Sequence, residues 1–476
     1  MIYRNFSRLF AGLVISLFAC LVWLTPSNAQ QPITTTVICT SSATCATTVP
    51  GAVAATLRRP TTDTLLRAHV GIFVMHPYSS YVNNTTICNE LAARGFTTLC
   101  ANGPFNGNQF GYYGYEQHIP TIAAGLNYLR NNVTGPAVTK ALIFGHSAGA
   151  PMMTLYQNVA ENGPAACTGP EKLIPCVTTG LNNIPKADGV MLFDAHLGDS
   201  LATYTYIDPA IIVNATPPGN VSSNRNPSLD MFSAANGYNF TTDGATYTDA
   251  FKKRFLAAQA IRNADLVSQA LDLLQQRRIA TGNPNDMGDA IPFTVVGGNA
   301  ARLWQPDLNL VSCTKTAHTL LSHDGTRPVQ KVCSVRTPSG NGSSDGLTNG
   351  STITFTVHSY LGAHALLTNG RYTQTLDDIT GLDYASSAAT SAANVPYITV
   401  PIIIISNTGH YFIRPDEIIY DAAGSFDKTL AFEEGAVHGG TPCTACATAL
   451  GQPSTYFGDT VKRTMDFYAE WLAARY

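Results

Sequence analysis

The stretch ALIFGHSAGAPMM, residues 141–153, passes from an unbroken apolar run through Gly145-His146-Ser147-Ala148-Gly149 into small, helix-compatible residues. A Gly-x-Ser-x-Gly pattern is short enough to arise by chance, so its meaning rests on its flanks. KALIFG (140–145) has the continuous hydrophobicity of a strand buried on both faces, and AGAPMMTLYQNVAEN (148–162) reads as the helix behind it. A serine held in so tight a strand-to-helix turn is lifted to the carboxyl end of the sheet, beside outward-pointing helix N–H groups. Gly145 and Gly149 would remove side chains that collide within the turn.

The alternation extends both ways. Upstream come the strand HVGIFVM (69–75), the helix NNTTICNELAARG (83–95), the strand FTTLCA (96–101) and the helix IPTIAAGLNYLRNN (119–132), with Ile119, Ile122, Leu126 and Leu129 on one face. Downstream is the strand in ADGVMLFDA (187–195). This order predicts a mostly parallel central sheet flanked by helices, an α/β class fold. Residues 201–395 break the pattern. They hold a long helix over 251–278, with Ala260, Ala264, Val267, Leu271 and Leu274 as its apolar stripe, and a β-ribbon candidate pairing VQKVCSV (329–335) with STITFTV (351–357). The sheet pattern resumes in VPIIIISN (400–407) and KTLAFEE (428–434), then closes with a helix presenting Val461, Met465, Tyr468 and Leu472. The expected organisation is a core in two parts, 30–200 and 396–476, with 201–395 as a large lid-like insertion before the last two strands.

Arg4 and Arg8 precede the apolar run LFAGLVISLFACLVWL (9–24), and Ser27-Asn28-Ala29 offers a small-residue cleavage site before Gln30. This predicts a signal peptide over 1–29, a secreted or periplasmic protein, and no stable membrane span after its removal. Eleven cysteines then become ten, and an even number in an exported chain suggests disulfides. Sequence neighbours make the simplest pairs: Cys39–Cys45, Cys88–Cys100, Cys167–Cys176, Cys313–Cys333 and Cys443–Cys446. The 476 residues are 45% hydrophobic and 12% charged, with net charge −3 and no basic stripe, which argues against nucleic acid as a partner.

With its serine elbow between strand and helix, the chain resembles secreted α/β-hydrolases of the esterase and lipase kind, over about residues 65–200 and 395–476. The resemblance implies a Ser–acid–His triad in that chain order, an oxyanion hole of two backbone N–H groups, and no cofactor. It implies Ser147 as nucleophile. His438, in EEGAVHGG (433–440) just after the last strand, matches the place of the base. The family usually carries the acid after its seventh strand, where this chain has Gly409-His410. A minority of its lipases carry the acid one strand earlier, which here is Asp194 at the end of GVMLF. Asp194 is therefore the first choice. Glu417 and Asp416 are alternatives that could equally cap a helix, and Asp199 and Asp421 come after them. Asp194, His196 and Asp199 have no further ligand cluster around them, so no metal is expected. The second strand-end loop, His76-Pro77-Tyr78-Ser79, resembles the family's oxyanion turn with Pro in place of Gly; Pro77 has no N–H, so Ala148 and Tyr78 are the expected donors. These residues would form a serine carboxylester hydrolase acting on a small-molecule or polymeric ester. An amidase, lactonase or polyester depolymerase would use the same machinery, and a catalytically silent binding relative is the alternative of another class.

Overall fold

The computed structural model describes residues 30–61, 67–77, 79–104, 114–213, 221–296, 303–338 and 352–476. The segment expected as signal peptide lies outside them. Ten strands form the main sheet: β1 (Ile33–Cys39), β2 (Ala54–Pro60), β3 (Val70–His76), β4 (Thr97–Asn102), β5 (Lys140–His146), β6 (Val190–Phe193), β7 (Cys313–Leu321), β8 (Val329–Cys333), β9 (Ile402–Asn407) and β10 (Lys428–Glu433). Their spatial order is β1-β2-β4-β3-β5-β6-β9-β10-β7-β8. The seven strands from β4 to β7 run parallel, and antiparallel pairs close both edges. A large mixed sheet with helices on both faces fits the α/β-hydrolase architecture.

Strand alternation explains how one hydrophobic run serves two cores. Phe73, Met75, Ile143, Ile402 and Ile404 point into a core shared with α1 (Ile119–Asn132), α2 (Gly149–Asn162) and, later in the chain, α5 (Ile413–Ala422). Ile72, Val74, Leu142, Phe144, Ile403 and Ile405 point to the other face, where α6 (Thr460–Ala473) brings Met465, Tyr468 and Leu472. Each such side chain, fully buried, contributes roughly 1.5–3 kcal/mol. Sheets covered on both sides leave only their strand ends accessible, and the carboxyl ends of β3, β5, β6, β9 and β10 carry the candidate residues.

The middle segment differs from expectation in two ways. The pair β7–β8 joins the main sheet, β7 running parallel beside β10, and the cross-strand pair Cys313–Cys333 is bridged. The expected partner Thr352–Thr356 pairs instead with Pro292–Val296 in a separate two-stranded sheet. CTKTAHTLL (313–321) is too polar to stand out as a sheet strand, because only its two ends are buried. The long helix, between α3 (Asp199–Tyr206) and α5, is α4 (Asp249–Thr281). Its buried face runs through Phe255, Gln259, Asn263, Val267, Ala270 and Leu274, while Ala264 and Leu271 are exposed. Gln259 and Asn263 are buried because their amides donate to the Ile207 and Leu366 carbonyls at 2.9 Å each.

All five expected bridges are formed, Cys39–Cys45, Cys88–Cys100, Cys167–Cys176, Cys313–Cys333 and Cys443–Cys446. Among the described residues, no helix is long and apolar enough to cross a membrane.

Candidate active site

Ser147 follows β5 with φ 55°, a left-handed conformation that costs a non-glycine residue of order 1–3 kcal/mol. Three hydrogen bonds hold it there: its N–H donates to Phe193 O (3.1 Å), and its carbonyl accepts from Ala150 N (3.0 Å) and His196 N (3.0 Å). Gly145 is required by crowding. A Cβ there would stand 2.5 Å from the Gly149 carbonyl oxygen, and one on Gly149 would stand 3.2 Å from the Met75 carbonyl oxygen. Ala148 then opens α2 with helical dihedrals (φ −62°, ψ −12°).

Asp194 ends β6, also at positive φ (42°), and is completely buried. Its Oδ1 accepts the Asn407 N–H at 3.1 Å. Its Oδ2 accepts Nδ1–H of His438, and Nε2 of His438 lies 2.8 Å from Ser147 Oγ. The three residues therefore form one continuous chain of contacts. Burial opposes the Asp194 charge, but the imidazoles of His410 and His438 outweigh it and hold the carboxyl well below the usual range. For His438, burial and the neighbouring His410 outweigh the attraction of Asp194, so its imidazole sits below the usual value. His438 is thus neutral at neutral pH, with Nδ1 protonated and Nε2 facing the serine.

The loop bearing His438 is held from two sides, by His146 and Asn407. His146 Nε2–H donates to His438 O at 2.8 Å, which leaves its Nδ1 to accept from Tyr81 Oη–H. Burial, and then His438, pushes His146 down to about 3, so this neutral tautomer persists. Asn407 Nδ2 donates to Val437 O at 2.9 Å, so a single side chain at the tip of β9 joins the His438 loop to the strand whose N–H binds Asp194. The identity of Asn407 in VPIIIISN was the available signal.

The alternative acids lie elsewhere and cap no helix. Glu417 is buried and accepts from Lys315 N (2.7 Å), Thr316 N (2.9 Å), His318 Nε2 (2.9 Å) and Arg414 Nη1 (2.6 Å), tying α5 to β7. Burial opposes its charge, yet these donors hold it down at about 2. Asp416 accepts the Ala195 N–H at 3.0 Å, just behind Asp194. Burial and the neighbouring Asp194 charge push its carboxyl well above the usual range. Asp199 takes the Tyr115 hydroxyl and lies 3.3 Å from His196 Nδ1, and Asp421 contacts Arg414 at 3.2 Å.

Asp194, His410 and His438 bring metal-ligating atoms within 4.8 Å of one another. Ligands of a tetrahedral zinc with bonds near 2.0 Å stand about 3.3 Å apart. Nδ1 of His410 is only 2.8 Å from Asp194 Oδ2, and Nδ1 of His438 donates to the same oxygen, a spacing tighter than that of tetrahedral zinc ligands.

In the loop after β3, Ser79 N–H is taken by His76 Nδ1 at 3.0 Å. Tyr78 lies outside the described residues, as do residues 109–113 of QFGYYGYEQH (109–118), whose aromatic content suggests a pocket wall. Beside His438, a cleft of ≈500 Å³ is lined by Gln305, Arg336, His410, Tyr411, Val437 and Gly439 among others. His438 itself is 36% exposed to it.

No family model matches the sequence, and no curated protein matches it either. Similar solved structures include a hypothetical protein from Pseudomonas aeruginosa (13% identity, 94% of this chain and 95% of that one, TM-score 0.39). They also include a monoacylglycerol lipase from Paleococcus ferrophilus (11%, 93% and 99%, TM-score 0.35). A third is brefeldin A esterase, a bacterial homologue of human hormone-sensitive lipase (11%, 94% and 80%, TM-score 0.39). Likeness at this level transfers neither activity nor residue roles.

Proposed function

We propose that this chain is an exported serine hydrolase that cleaves carboxylic esters through a covalent acyl-enzyme. The observation that carries the proposal is the 2.8 Å contact of Ser147 Oγ with Nε2 of a histidine whose other nitrogen is on a buried carboxylate. His438 takes the Ser147 proton as the oxygen attacks the ester carbonyl, and returns it to the leaving alcohol. A water then enters, gives its proton to His438 and releases the acid, restoring Ser147. Asp194 keeps the proton of His438 on Nδ1 and stabilises the transient imidazolium.

Ala148 N–H and Tyr78 N–H are the proposed oxyanion donors, each typically worth about 2.7–4 kcal/mol in the transition state. Pro77 has no N–H and Ser79 N–H is engaged, which supports that choice within the loop. The segment 201–395 acts as the lid-like wall of the substrate cleft, contributing Gln305 and Arg336 to its lining. Export through a cleaved 1–29 signal accords with five disulfides.

The test is hydrolysis of p-nitrophenyl esters of graded acyl length by the purified protein, alongside the matching anilides. Ester turnover that Ser147→Ala abolishes supports the assignment; turnover of anilides in preference to esters would make the chain an amidase, and turnover of neither would remove the proposal.

A further inference from the structure

His410 stands where the resembled family usually carries its acid, and it does not leave the site. Its Nδ1 is 2.8 Å from Asp194 Oδ2, the oxygen that also takes His438, angled away from a linear hydrogen bond. Its ring stacks on that of His438, with centroids 4.3 Å apart and planes 26° apart. The ring is held in place: His410 N–H donates to Asn407 O (3.1 Å), Ser334 Oγ donates to His410 O (2.7 Å), and Phe412 packs edge-on at 4.6 Å. Nδ1 of His410 contacts the same carboxylate oxygen that takes Nδ1–H of His438. One carboxylate oxygen thus serves two imidazoles.

We propose that His410 is a positioning residue that fixes the Asp194 carboxylate and shares its charge, so that His438 stays an unprotonated base further into acid than Asp194 alone would allow. This rests on the hydrolase reading above and deepens it. A neutral His410 draws Asp194 charge toward its own N–H and away from His438, and a protonated one repels the His438 imidazolium directly. Both states act in the same direction. The other groups facing the pair include Asp416 from α5, His76 from β3, His146 from β5, His196 after β6, Tyr411 beside His410, and Arg336 across the cleft. All stay in place when His410 alone is changed, so the difference between variants isolates its effect.

The test is the titration of His438 followed by NMR of the histidine-labelled protein, its signal identified by loss in His438→Gln. In His410→Phe, which keeps a ring but removes the donor, His438 should titrate about one pH unit higher than in the wild type. His410→Asn, which keeps an N–H donor, should return it toward the wild-type value. Where esters are turned over, the acid limb of kcat/KM should move by the same amount. His410→Ala serves the same comparison should the Phe variant not fold. An unchanged His438 titration in the donor-free variant, whatever happens to rate or thermal midpoint, overturns the proposal, because a merely structural role would lower stability without moving that titration. The NMR reading needs no substrate, so a protein inactive on every ester would refute the hydrolase reading separately.

Discussion

Ser147 and Asp194 end neighbouring parallel strands, β5 and β6, and both adopt positive φ, 55° and 42°. Two strained, non-glycine strand tips side by side turn their side chains off the sheet edge toward the same His438 ring. The strain is held by main-chain bonds, Ser147 N to Phe193 O and Asp194 N to Ile405 O. Tight packing of the elbow follows. Gly145→Ala places a methyl 2.5 Å from the Gly149 carbonyl, against rigid backbone, and should lower the thermal midpoint and abolish turnover. A Gly145→Ala protein as stable and active as the wild type would show that the turn is looser than described.

Three carboxyl substitutions should separate into three outcomes. Asp194→Asn should reduce kcat by about 10⁴-fold, the scale seen when a triad carboxylate is neutralised. Asp416→Asn should leave kcat within about tenfold, since burial and Asp194 already disfavour the Asp416 charge and the amide oxygen can still accept the Ala195 N–H. Glu417→Gln should destabilise the fold by about 3 kcal/mol, by uncoupling α5 from β7 and leaving Arg414 short of charge, with activity per folded molecule preserved. Steady-state kinetics with urea denaturation read all three.

Activity should persist into mildly acidic solution. In the proposed mechanism His438 works as a neutral base, so its protonation should remove activity, and its imidazole is held below the ordinary value of 6.5 by burial and His410. The acid limb of kcat/KM should therefore have its midpoint below pH 6.5. A midpoint above 7 would contradict the site's electrostatics.

The elbow was legible because it is local: apolar strand, two glycines around one serine and a helix lie within thirteen residues. The centre of the parallel sheet was legible for the same reason, since β3, β5, β6 and β9 carry continuous apolar runs. His438 and Asp194 could be named only through their order along the resembled fold. What sequence could not show was contact at a distance. His410 in its loop and Asn407 at the tip of β9 are ordinary residues until β9 is set beside β6, and His146 acquires its bond to His438 only once residues 292 positions apart meet. Asp416 and Glu417 looked like helix caps because both sit early in α5, yet their partners, Ala195 and Lys315, come from other elements. The pair β7–β8 was missed because strands near a sheet edge, half open to solvent, lose the apolar run that marks central ones.

A separate pH effect on stability comes from His358. Burial disfavours its charge, but Asp289 (2.7 Å) and Glu116 (3.1 Å) outweigh this and raise it to about 9. A folded value above the unfolded one of 6.5 stabilises fully below pH 6.5, and that contribution is lost as pH rises through about 9. It amounts to about 3 kcal/mol. The urea stability difference between wild type and His358→Gln should be large at pH 6 and should shrink progressively toward pH 9.5. A difference independent of pH would show that His358 is not charged in the folded protein.

The central claim is that Ser147 is the activated nucleophile. Incubating the protein with a fluorophosphonate, digesting it and mapping the adduct by mass spectrometry tests this directly. A single phosphonyl group on the peptide carrying Ser147, absent in Ser147→Ala and formed far more slowly in His438→Ala, is the expected result. No adduct, or an adduct on another serine with Ser147 unmodified, would contradict it.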